Sequence, residues 1–215
     1  ISGTVSREYP GILTWVFDEH NETDATANIN MLNFLLWAYT YSDETCRERA
    51  RGLIELILDY LLDLVQREVL LTPRSQLYYP VGSTYFLWYR LLCSYESVPG
   101  EVLTELNVSS RVETVTQYLV SGFDPPETLL SEGHNTFDRL LITTLLLKCE
   151  VADRQFWSTH LAPVVEMTDF RREAYSLCRQ PYPIKIICCS LSLPYAAILS
   201  SYVEITLQEE RRGGR

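Results

Sequence analysis

The feature that most limits what this chain can fold into is the period of its apolar residues. Hydrophobic side chains recur every three to four positions through most of the sequence, and the strict alternation of a half-buried strand is scarce. The run "RGLIELILDYLLDLV" is typical. Glu55, Asp59 and Asp63 recur every four residues, so they form one polar stripe on an amphipathic helix and keep the run from reading as a membrane span. The spacing predicts helices over about 24–41, 44–70, 82–96, 109–121, 136–149, 158–167, 170–178 and 184–208. Thr23 or Asn21 can cap the first, and Ser42 or Asp43 the second. Thr72-Pro73 is expected to stop the second helix, and Pro194 to kink or split the last. The stretches 91–107 and 122–136 read as linkers too short to separate domains. The expectation is one all-α domain over residues 1–215, of antiparallel helical hairpins with short connections. Both termini read as cut ends, so the chain is either a whole domain or a piece of a longer polypeptide.

Charge narrows the partners. The formal net charge of -10 argues against nucleic acid and against an anionic membrane surface, because both reward a basic face. The 6 cysteines fall mostly in apolar helical runs such as "LLLKC" and "KIICCSL", with no Cys-x-x-Cys or Cys/His zinc spacing. They read as reduced, buried thiols of a cytoplasmic protein. No metal and no cofactor is expected: the acids around His20 follow no calcium-loop spacing, and no glycine-rich phosphate loop occurs.

The candidate site is the stretch "WVFDEHNETDATANINML", Trp15 to Leu32, where acids and His20 stand directly before three asparagines on an apolar helical pattern. Asparagine is a poor helix former, and a buried amide must find partners. Asn28 lies one turn after Asp24 on the same side, whereas Asn30 does not. Two readings stand side by side. In one, Asp24 caps the helix and the asparagines tie down the preceding loop. In the other, Asp24 is a general acid with a pKa raised by burial, and His20 or Asn28 orients its proton.

"TDATANINMLNFL" resembles a stretch of bacterial proteins in the squalene-cyclase and prenyltransferase-like superfamily, where an Asp is followed by two Asn at the fourth and sixth positions. "ILTWVF" and "LYYPVGSTYFLWYRLLCSY" resemble neighbouring stretches of the same proteins. "ETDATA" is also similar to the Asp-x-Asp-Asp-Thr-Ala motif of class II terpene cyclases. There Asp24 takes the place of the proton donor and Glu22 stands where the first Asp would be. The resemblance implies an α/α toroid, whole or partial, that holds an isoprenoid or other apolar chain in a central cavity. It also implies cyclisation initiated by a proton rather than a metal, the work of an isomerase or lyase. Asp24 would donate the proton, with His20, Glu22 and Asn28 orienting it. Trp15, Asn30, Trp37, Tyr78, Tyr79 and Tyr85 would line the cavity, the aromatic rings stabilising a cation. A second domain or chain would complete the ring if this one is partial. The alternative from a different class is a non-catalytic helical interaction or scaffold module.

Overall fold

The computed structural model describes residues 23–72, 75–76, 81–131, 133–167 and 192–213. The fold class is all-α; among the described residues there is no sheet. The helices are α1 (Ala25–Tyr41), α2 (Glu44–Gln66), α3 (Val81–Tyr95), α4 (Gly100–Leu106), α5 (Ser109–Val120), α6 (Thr128–Ser131) and α7 (Thr136–Lys148). A continuous stretch follows: α8 (Arg154–Phe156), a π-helical segment (Trp157–Leu161) and α9 (Ala162–Met167). The last described helix is α10 (Ser192–Gly213). The predicted helix over about 170–178 lies outside the described residues.

The chain gathers into two compact units. One holds α1, α2, α3 from Arg90, α4 and α5 as far as Leu119; the other holds α3 up to Tyr89 and the elements from Val120 onward. In the first unit α1 packs on α2, and Ile29, Leu32, Leu36, Ile54, Leu58 and Leu61 are fully buried. In the second α7 packs on α10, with Trp88, Phe137, Leu141, Leu145 and Trp157 in its interior. The polar stripe of α2 faces outward as its spacing requires: Glu55 and Asp59 are exposed, and Asp59 pairs with Arg111 of α5 at 3.1 Å.

The start signals are short Asx side chains. Asp24, Asp43, Asn135 and Asp153 each accept the backbone N–H three residues on, at 2.8–3.1 Å, which satisfies one donor the first turn leaves open. Asp24, rather than Thr23 or Asn21, caps α1. The stop signals are less familiar. α2, α4 and α7 end on Glu68, Asn107 and Glu150, with φ of 57°, 49° and 58°. At each end two amides turn back: Val69 to Leu64 and Glu68 to Val65, Val108 to Leu103 and Asn107 to Thr104, Val151 to Leu146 and Glu150 to Leu147. This is the Schellman closure, made three times without glycine. In every case a Leu precedes a Val by five positions, the pair such a closure brings together ("LVQREV", "LTELNV", "LLKCEV"). Thus α2 stops at Gln66, before Thr72-Pro73 is reached, because the closure satisfies its last carbonyls first.

Two further differences have simple causes. The expected linkers contain α4 and α6, helices too short to carry a visible period. Pro194 sits in the first turn of α10, where its missing N–H would have had no partner, and the part of the predicted helix before Ser192 lies outside the described residues. Pro163, by contrast, stands two residues beyond the π-helical segment. Its ring would meet the carbonyl of Thr159 in a regular helix, and the widened turn, with the Ala162 N–H donating to the Trp157 carbonyl, relieves that conflict.

Candidate functional site

The start of α1 is a buried polar knot. Asp24 is fully buried, Thr26 likewise, and Asn28 nearly so. The Asp24 carboxylate accepts the Ala27 N–H at 2.9 Å, and Asn28 Nδ2 donates to the Asp24 carbonyl at 2.9 Å. The loop after α2 closes on the same place. The Ala25 N–H donates to the Ser75 carbonyl at 2.7 Å, while the Ser75 hydroxyl lies 2.6 Å from the Val69 carbonyl and 2.7 Å from that of Leu70. The buried Asp24 side chain thus meets a backbone amide that the first turn of α1 leaves open.

The residues expected to form one site are divided. Asp24 and Asn28 come together. Asn30 is exposed on the opposite side of α1, and Trp37 is 57% exposed on that outer side too. Tyr85 belongs to the second unit, buried, with the Phe123 ring edge-on at 5.7 Å. Trp15, His20, Glu22, Tyr78 and Tyr79 lie outside the described residues. The residues that sequence reasoning missed are Trp37's neighbours: Met31, Phe34 and Tyr41 are exposed, and the Phe34–Trp37 and Trp37–Tyr41 ring centroids stand 6.2 and 5.8 Å apart. A signal for this was present. α1 has no charged residue among its 17, so an apolar inner face leaves an apolar outer one.

The C-terminal end of α1 is held from α2. Arg47 donates to the Tyr39 carbonyl at 3.1 Å, and Arg51 donates to the Tyr39 hydroxyl at 2.9 Å and to Glu105 of α4. Burial raises the Tyr39 hydroxyl's pKa, while the hydrogen bond to Tyr39, reinforced by Arg51, lowers that of Glu105. These contacts supply the basic partners that the last turn of α1 lacks.

The second unit carries its own polar features. A cleft of about 370 Å³ is lined by Glu127, Glu150, Asp153, Thr159, His160 and Arg212, among others, and by none of the expected site residues. Asp138 accepts the Gly82 N–H at 3.0 Å, so α7 caps the beginning of α3. Burial pushes its carboxyl above the ordinary range, against the Gly82 N–H, His134 and Asn135, which pull it down. Gly82 is required here: a Cβ would lie 2.6 Å from Asp138 Oδ1 and 2.9 Å from its Cα. Among the described residues no three His, Cys, Asp or Glu side chains assemble into a metal set, and no helix is long and apolar enough to cross a membrane. The expectation of buried thiols is corrected where it can be read: Cys46 is exposed, and Cys93 and Cys149 are half-buried, since their helical positions turn partly from the core. Comparison with known proteins gave no match, whether to a family model, a curated protein or a solved structure.

Proposed function

We propose that this chain is a helical interaction module, and that the outer face of α1 docks the apolar face of a helix on a protein partner. The observation that carries this is the exposed row Met31, Phe34, Trp37 and Tyr41 on a helix with no charge of its own. Met, Phe, Trp and Tyr are the side chains enriched at protein interfaces, and Trp and Tyr dominate binding hot spots. A net charge of -10 favours a protein over an anionic lipid surface as the occupant. An exposed thiol at Cys46 fits a reducing compartment such as the cytoplasm. The test is a photo-crosslinking side chain at position 37 in cells, with position 48, on the exposed start of α2, as control. A discrete adduct at 37 alone is expected. The adduct partner, purified separately, should lose at least tenfold in affinity for Trp37→Ser. No adduct, or affinity indifferent to Trp37→Ser, overturns the reading.

A second reading keeps the resemblance to class II terpene cyclases, in which the chain forms all or part of a toroid around an isoprenoid. The complete burial of Asp24 favours it, since a proton donor to an alkene must be kept from water. Asp24→Asn separates the two. Asn caps a helix as well as Asp does, so stability should hold while proton donation is lost. Conversion of a linear isoprenoid by the native chain but not by Asp24→Asn supports cyclisation; no conversion by either removes it.

A further inference from the structure

We propose that the outward face of α10 is a self-association surface, on which a second copy of this chain lays its own α10 antiparallel across a two-fold axis. The starting point is a helix that buries polar side chains while it leaves its larger apolar ones exposed. Its buried side carries Ser201, Glu204 and Gln208 together with Ala197 and Ile205. Ser201 meets the Thr144 hydroxyl at 3.3 Å, and Gln208 Nε2 donates to the Leu147 and Ala152 carbonyls at 2.8 and 3.0 Å. Glu204 stands 3.8 Å from Lys148 and 4.0 Å from Arg211. Away from α7 the same helix presents Tyr195, Leu199, Tyr202, Val203 and Leu207, between 37% and 68% exposed. Helices of monomeric proteins show the reverse arrangement.

Three properties of this stripe fit a copy of itself. Its pattern is symmetric about the level of residue 201. In an antiparallel pair Tyr195 comes opposite the counterpart's Leu207 and Leu199 opposite its Val203, while Tyr202, whose ring packs edge-on to Trp157 at 5.8 Å, flanks the axis; this is the requirement of an isologous contact. Its size is adequate. The five side chains span about 18 Å of helix, and pairing two such faces removes on the order of 1,000 Å² from water, the lower bound for a specific interface. Its charges select the direction. Residues 192–203 carry none, and Glu210, with no basic partner among the described residues, continues the stripe at the far end. Antiparallel pairing brings Glu210 to the positive end of the counterpart helix, whereas parallel pairing sets the two Glu210 side by side. This surface is on α10 and is independent of the face of α1.

The experiment is sedimentation velocity of this chain over a wide concentration range. A reversible monomer–dimer equilibrium is expected. Leu199→Glu should weaken it at least tenfold and Glu210→Lys severalfold, with helicity unchanged, and with thermal midpoint unchanged at concentrations where the chain is monomeric, because both sites are exposed; Trp37→Ser should leave it intact. If Leu199→Glu misfolds, Glu210→Lys decides. A monomer at the highest concentration, or a dimer that neither α10 variant weakens, overturns the proposal, as does a dimer abolished by Trp37→Ser alone.

Discussion

α1 and α10 both expose a row of apolar side chains, and they do so for opposite reasons. α1 carries no charge: Ile29, Leu32 and Leu36 fill the first unit, and Phe34, Trp37 and Tyr41 remain on the far side with Asn30. α10 buries Ser201, Glu204 and Gln208 beside Ala197 and Ile205, and leaves Tyr195, Leu199, Tyr202, Val203 and Leu207 in water. An apolar helix can be secured by burying half of itself, at roughly 25 cal/mol for each Å² removed from water. A helix with polar side chains on its inner face gains less from that face, where buried polar groups largely exchange one set of hydrogen bonds for another. The lesson is that exposure of apolar area alone does not describe a docking face; what secures the opposite face decides how much stability that exposure costs.

The strongest test of this contrast is Leu36→Ala, which empties a fully packed position in α1 and should cost about 2–5 kcal/mol in urea unfolding; a cost below that range would mean α1 is not anchored by its inner face. On α10 the corresponding change goes the other way. Replacing Lys148 by Met together with Glu204 by Leu exchanges a long, buried ion pair for apolar contact, and should leave stability unchanged or raise it by about 1–4 kcal/mol. A clear loss would show the polar inner face to be a stabilising device after all. Gly82→Ala, at the point where α3 meets α7, should cost about 1–3 kcal/mol through overpacking, read from the same unfolding curves.

Smaller is the pH trend carried by Asp138. Its folded pKa lies above the unfolded one, so its contribution to stability is fully present below the ordinary carboxylate value. That contribution is lost as pH rises through the raised value. Asp138→Asn should flatten this part of the profile, measured as urea midpoints at successive pH values; an unchanged slope would mean that burial does not govern the group. Smallest is Glu68→Gly, which removes a left-handed non-glycine residue from the end of α2 and should stabilise by about 0.5–1 kcal/mol, visible as a shift in thermal midpoint.

Much of the fold was legible because helix periodicity and capping are local. The stretch predicted as 24–41 is α1 at 25–41, and Glu55 and Asp59 of α2 face outward, with Asp63 part-buried at the stripe's end, because 3.6 residues make a turn whatever the helix packs on. The reading that Asn28 and Asp24 share a side and Asn30 does not also holds, for the same reason. Illegible were the stops at Glu68, Asn107 and Glu150, since no glycine marks them, although the recurring Leu-to-Val spacing was available. The candidate site was legible only in its smallest part. Asp24 and Asn28 are one helical turn apart in sequence and so meet in any helix, whereas Tyr85 reaches its neighbour Phe123 through tertiary packing that no local pattern encodes.

Sequence alone therefore determined what depends on neighbours along the chain: the all-α class, the Asp43 start of α2, and a helix α1 without charge on any side. Tertiary structure decided which side of each helix meets the interior. For α1 either side was hydrophobic enough to be buried, and for α10 Ser201, Glu204 and Gln208 went inward because hydroxyl, amide and ionic partners on and beside α7 were there to receive them. For α10 that choice depends on groups more than fifty residues away along the chain, whereas α1 meets its neighbour α2.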